Sequence, residues 1–147
     1  MSTRVQIVFD CTDPGRMTAF WAEALGYRVP APPQGFAMWD DYWRHAGLPE
    51  DELGGPDDRL EDPDGQGPRI WFQQVPEGKV VKNRLHLDLD ASGGRDVPIE
   101  TRRERVRAKA DQLIAAGATR LRVLSVEGLD HYGEVMADPE GNEFCIH

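Results

Sequence analysis

Cysteine is scarce in this chain. Only Cys11 and Cys145 occur in 147 residues, in neither a metal-knuckle nor a redox spacing. That excludes a disulfide-rich scaffold, and a reducing cytoplasm is the expected location. No run of about 18 apolar residues exists, so no membrane-spanning helix is expected. The N-terminus lacks a charged-then-apolar leader and runs straight into a strand-like segment, so no secretion signal is expected. Positive charge is also short: 17 Lys and Arg stand against 26 Asp and Glu, for a net charge of -9. Phosphates would be repelled by such a surface, which argues against nucleic acid as a partner. The length suits one domain that can bury a core without disulfides or a structural metal.

What the chain does contain is an internal repeat. Arg4–Cys11 reads R-V-Q-I-V-F-D-C and Arg84–Ala91 reads R-L-H-L-D-L-D-A. Both alternate as a half-buried strand does. Val5, Ile7 and Phe9 form one face of the first segment, and Leu85, Leu87 and Leu89 the same face of the second. The opposite faces carry Gln6, Val8 and Asp10, matched by His86, Asp88 and Asp90. The two segments align without a gap, 80 positions apart (Val5 to Leu85).

Each segment leads toward a helix. Asp13-Pro14 supplies an N-cap acceptor and a proline at the first helical position. Met17, Phe20, Trp21, Ala24 and Leu25 then recur at helical spacing, and Gly26 can end the run. In the second copy Val106, Ala110, Leu113 and Ile114 form the stripe and Gly117 stops it. The charged stretch Glu100–Lys109 reads as that helix's solvated face. Each copy then closes alike. Asp62-Pro63-Asp64-Gly65 and Asp138-Pro139-Glu140-Gly141 are turns. Strands follow at about Arg69–Val75 and Asn142–His147, while Tyr27–Pro30, Phe36–Trp39, Thr119–Val126 and Gly133–Ala137 supply the intervening strands. His131 and Tyr132, in a turn, are expected to reach solvent.

The predicted fold is therefore α+β. Two tandem β-α-β-β-β units form a curved, half-open mixed sheet with the helices outside. Copy one spans about 4–76 and carries an acidic, Gly/Pro-rich insertion at about 40–66; copy two spans about 83–147. Such a duplication, together with Ile70-Trp71-Phe72-Gln73, the stretch Pro76–Asp88 and the ending Asp138–Cys145, resembles the vicinal oxygen chelate superfamily of glyoxalases, bleomycin-resistance proteins and extradiol dioxygenases. The likeness is strongest to actinobacterial glyoxalase-like domain proteins, and it implies one glyoxalase-like domain over residues 1–147.

The resemblance also implies a site between the copies. Metal-using relatives take one ligand from the first strand of each copy and one from the last. Those places fall on Gln6 and His86, and on Trp71 and Cys145. An indole cannot ligate, and the expected last-strand carboxylates are missing. Oxygen-preferring dications would find little negative charge here. Glu143 shares the Cys145 face but lies about 7 Å along the strand. The expectation is thus no cofactor. The alternative is a divalent ion (Zn, Ni, Fe or Mn) at Gln6 and His86, with Glu143 or Cys145 as third ligand and His86 and Glu143 as catalytic groups.

Three functions compete. The first is a metal-free binding protein holding an aromatic or cationic molecule in a tryptophan-lined acidic cleft. Its ligand-binding residues would be Gln6, Trp39, Trp43, Arg69, Trp71, Gln73, His86, Asp88 and Cys145. The second is a metal-dependent lyase, isomerase or dioxygenase acting on vicinal oxygens. The third is a non-catalytic scaffold whose insertion contacts another protein. Arg84 and Arg69 are candidate partners for Asp88 and Asp90. Tyr42, Trp43, His45 and Leu48 suggest a short helix in the insertion, which could form a lid with Trp39. Half-open sheets leave edges that need covering, so a homodimer is expected.

Overall fold

The computed structural model describes residues 1–147. Eleven elements follow one another: β1 (Gln6–Cys11), α1 (Pro14–Leu25), α2 (Trp39–His45), a 3-10 turn at Glu50–Glu52, β2 (Arg59–Leu60), β3 (Arg69–Gln74), β4 (Asp88–Leu89), α3 (Ile99–Ala115), β5 (Thr119–Ser125), β6 (Tyr132–Ala137) and β7 (Glu143–Ile146). They build two sheets, ordered β1-β3-β2 and β4-β7-β6-β5. In each sheet the copy's first strand lies parallel to its last. Val8 pairs with Trp71 and Asp88 with Cys145, so the 80-residue repeat holds at the level of register.

The predicted cap forms: Asp13 accepts from the Arg16 amide at 3.0 Å and Pro14 opens α1. Gly26 closes the helix at φ 69°, a left-handed conformation that favours glycine. The apolar stripe of α1 is consumed by packing. Trp21 lies 5.3 Å from Phe9 and 5.2 Å from Phe144, ring centre to centre, so a copy-one helix packs on a copy-two strand. Burying such rings stabilises by about 2–3 kcal/mol each. A polar clamp reinforces the contact: the Glu140 carboxylate accepts from the Thr12 and Asp13 amides at 2.7 and 2.9 Å. The copies are therefore fastened at their turns rather than by strand hydrogen bonds.

Several local expectations are corrected. Phe36–Trp39 forms no strand, because Trp39 opens α2. Its place is taken by Arg59–Leu60, which pairs with Trp71 and Ile70. Tyr27–Pro30 contributes a single bridge, from Arg28 to Glu61. The leucine face of the second repeat is graded: Leu89 is buried, Leu87 half-buried and Leu85 exposed, since regular pairing begins only at Asp88. Ile114 is exposed although Val106, Ala110 and Leu113 are buried. Nor is Glu100–Lys109 solvated throughout. Arg102 is buried, with its guanidinium donating to the Val97 carbonyl and to Asp130. Tyr132 is buried too, its ring flanked by the guanidinium groups of Arg103 and Arg107.

Candidate functional site

Strand pairing decides which side chains share a face. In copy one Gln6, Val8 and Asp10 lie beside Arg69, Trp71 and Gln73, on the face turned away from buried Ile70 and Phe72. In copy two Asp88 lies beside Cys145, which lies beside Val135, which lies beside Arg122. A groove of about 380 Å³ opens on this second face. His86, Asp88 and Cys145 contribute to its floor, and Lys82, Arg122, His131 and His147 also line it.

One ligand atom from each of His86, Asp88 and Cys145 lies within 4.8 Å of the others. His86 Nδ1 stands 3.1 Å from Asp88 Oδ1. Asp88 therefore pairs with the imidazole rather than with Arg84 or Arg69. Burial, the Asp88 charge and a hydrogen bond to that carboxylate all push the Cys145 thiol up from its ordinary value. The thiol is consequently protonated at neutral pH, a poor nucleophile and a weak donor toward Asp88. Cys11 is pushed up further, to about 11, chiefly by burial.

Glu143 sits at the edge of the same groove but is spoken for. Lys79 Nζ approaches it at 3.1 Å and the Asn83 amide donates to it at 3.2 Å. Burial alone would raise its carboxyl, but these hydrogen bonds and the lysine charge outweigh burial and hold it below the usual range. It anchors the Lys79–Asn83 segment to β7. Asp90, the other acid of this repeat face, accepts from the Ser92 and Gly93 amides and so shapes the turn before α3.

A second depression, of about 270 Å³, marks the seam between the copies. Val8 and Asp10 line it from one side, and Leu85, His86 and Leu87 from the other. His86 and Glu143 belong to both depressions. The remaining candidates lie elsewhere. Gln6 and Arg69 line a hollow of about 340 Å³ with Pro30 and Trp39, which His86 does not reach. Trp71 lies under the Arg59 guanidinium, 5.6 Å from ring centre, and donates to Asp58 at 3.1 Å. Gln73 follows it along the same face. Trp39 and Trp43 line a third cavity beneath the insertion. Trp39, Trp43 and Trp71 thus do not meet His86 in one cleft.

Sequence reasoning missed Arg122 and His147 as groove residues. Arg122 was visible only as one of several alternating polar residues on an edge strand. His147 ends the predicted closing strand, and nothing in the sequence marks it as part of a cavity.

Residues 6–147 match the model of the glyoxalase-like domain, so the chain belongs to that family. A glyoxalase/bleomycin resistance protein/dioxygenase family enzyme from Burkholderia phytofirmans shares the fold at TM-score 0.58, with 19% identity, over 96% of this chain and 94% of the other. The fosfomycin resistance protein FosX from Mesorhizobium loti superposes at 0.58 with 11% identity, covering 100% and 92%. FosX from Listeria monocytogenes, a glutamate-to-glutamine variant complexed with Mn(II) and 1S,2S-dihydroxypropylphosphonic acid, superposes at 0.60 with 12% identity, covering 100% and 90%. A search of curated proteins found no match. No helix is long and apolar enough to cross a membrane.

Proposed function

We propose that this glyoxalase-like chain binds a small, oxygen-rich anion in the copy-two groove, without the carboxylate-rich metal centre of an oxygen-chelating enzyme. The carrying observation is the convergence of His86, Asp88 and Cys145 in a groove that Lys82 and Arg122 also line. In a chain of net charge -9, Lys82 and Arg122 offset the groove's two acids, Asp88 and Glu143, and three histidines line it as well, so the groove carries none of the chain's excess negative charge. Asp88 orients the His86 ring, and the Cys145 thiol offers a hydrogen bond. The likeness to actinobacterial glyoxalase-like proteins and a homodimer covering the sheet edges belong to the same reading. Thermal shift with malonate and methylphosphonate tests it. A saturable rise in Tm is expected in the parent chain and its loss in Arg122→Ala and His86→Ala. An unchanged response in both variants would sink the reading.

The 4.8 Å grouping favours a second reading, in which the three side chains hold a metal ion. Nitrogen, oxygen and sulfur together suit zinc better than Mn(II), which prefers oxygen ligands. A dication there would polarise substrate oxygens as a Lewis acid. Asp88 would then serve as ligand rather than only as orienter of His86, and Cys145 would have to lose its proton. Because that thiol is raised, zinc uptake should release a proton and weaken by about tenfold per pH unit below the thiol value. Zinc titration with simultaneous proton counting checks this. One tightly held ion per chain, lost in Cys145→Ser, selects the metal reading and overturns the metal-free one.

A further inference from the structure

We infer that the acidic insertion forms a second, separate site for a compact organic cation, of the methylated or quaternary ammonium class. The site is a cavity of about 230 Å³ between the insertion and the end of copy one's sheet. Trp39 and Trp43 line it, stacked at 5.7 Å with their planes 24° apart. Trp39 is fixed by donating its Nε1–H to the Pro30 carbonyl at 2.8 Å. The rings pack on one another and on Tyr42 but keep exposed surface: α2 has two tryptophans and a tyrosine in seven residues, and none of its residues is fully buried.

Charge gives the cavity its sign. Asp40, Glu52, Asp57 and Asp58 face it, against one cation, Arg59. Arg59 is already engaged, 3.6 Å from Asp58 and over the Trp71 ring. Asp40 accepts from the Gly54 amide, which is neutral. Asp40, Glu52 and Asp57 form no ion pair with any Lys or Arg, so the cavity keeps about three uncompensated negative charges.

The arrangement also sets the size of the cation. No three of these carboxylates bring oxygens within 4.8 Å of one another, the condition met only at His86, Asp88 and Cys145. A bare metal ion would therefore find no converging ligand set. A large, weakly hydrated ammonium needs none. It is attracted by aromatic ring faces and by carboxylates around it at longer range. The inference is independent of the groove at His86.

The probe is choline, set against its neutral isostere 3,3-dimethylbutan-1-ol. The indole N–H resonances of Trp39 and Trp43, assigned with single Trp→Phe variants, report binding. Choline is expected to shift both saturably, and the isostere to bind about tenfold more weakly. Trp43→Ala should weaken choline by about tenfold, and the surface pair Glu52→Gln with Asp57→Asn by about fivefold. His86→Ala should leave choline binding unchanged. Equal binding of the neutral isostere, or no saturation with choline, overturns the cation site. Equal weakening by His86→Ala and Trp43→Ala overturns its location.

Discussion

Asp138→Ala is expected to cost about 3–4 kcal/mol of folding stability, whereas Asp62→Ala, at the same step of the other copy, should cost far less. The two aspartates open matching turns, yet their surroundings differ. Asp138 is 3% exposed. Its oxygens accept from the Glu140 and Asn142 amides at 2.9 and 3.0 Å, from the Asn142 side chain, and from Trp21 Nε1 at 3.1 Å. Removing the carboxylate strands a buried indole N–H and frees the turn that carries Glu140. The clamp from Glu140 to Thr12 and Asp13 would loosen with it. Asp62 also accepts three amides, from Asp64, Gln66 and Gly67, and these hold its carboxyl below the usual range. Water can replace those bonds. The sign follows: the Asp62 contribution is present above its unfolded value and is lost as pH falls through the depressed folded one. Urea unfolding of both variants at neutral pH measures the contrast. Equal losses would show that burial of the turn does not set its worth.

The same pair of turns shows what the sequence made legible. Asp-Pro-x-Gly is local chemistry, as are the Asp13 cap and the Gly26 stop, and all three formed as read. The strand repeat was legible because period-two alternation survives in register, from Val8 against Trp71 to Asp88 against Cys145. Longer-range facts were not legible. Phe36–Trp39 has aromatic residues enough for a strand, but the acidic chain that follows folds into α2 and returns β2 from residue 59. A strand of two residues, Arg59–Leu60, leaves no periodic signal at all. His86 lines the copy-two groove. Its separation from Trp39 and Trp43 depends on how the insertion sits, which no periodicity encodes.

The largest feature the sequence concealed is Glu134, and it yields the last expectation. In Tyr132-Gly133-Glu134-Val135-Met136 the acid shares a strand face with Tyr132 and Met136, both buried, and is itself 1% exposed. That position between two core residues was the available signal. The carboxylate survives there because Arg120 Nε donates to it at 2.6 Å and the Tyr132 hydroxyl at 2.8 Å. Arg120 also reaches Asp111 at 3.1 Å. Arg120→Ala should therefore destabilise by about 2–3 kcal/mol, below the full cost of breaking a buried pair because the guanidinium is partly solvated. Adding Glu134→Gln should recover part of that loss, since the amide is neutral and its oxygen still accepts from Tyr132. A double variant less stable than Arg120→Ala alone would mean that charge burial is not what Arg120 relieves. Recovery would identify β6 as a strand whose buried acid is tolerated only while its arginine stays. Because β6 lies between β7 and β5, that ion pair also steadies Cys145 and Arg122, on the strands that carry the groove.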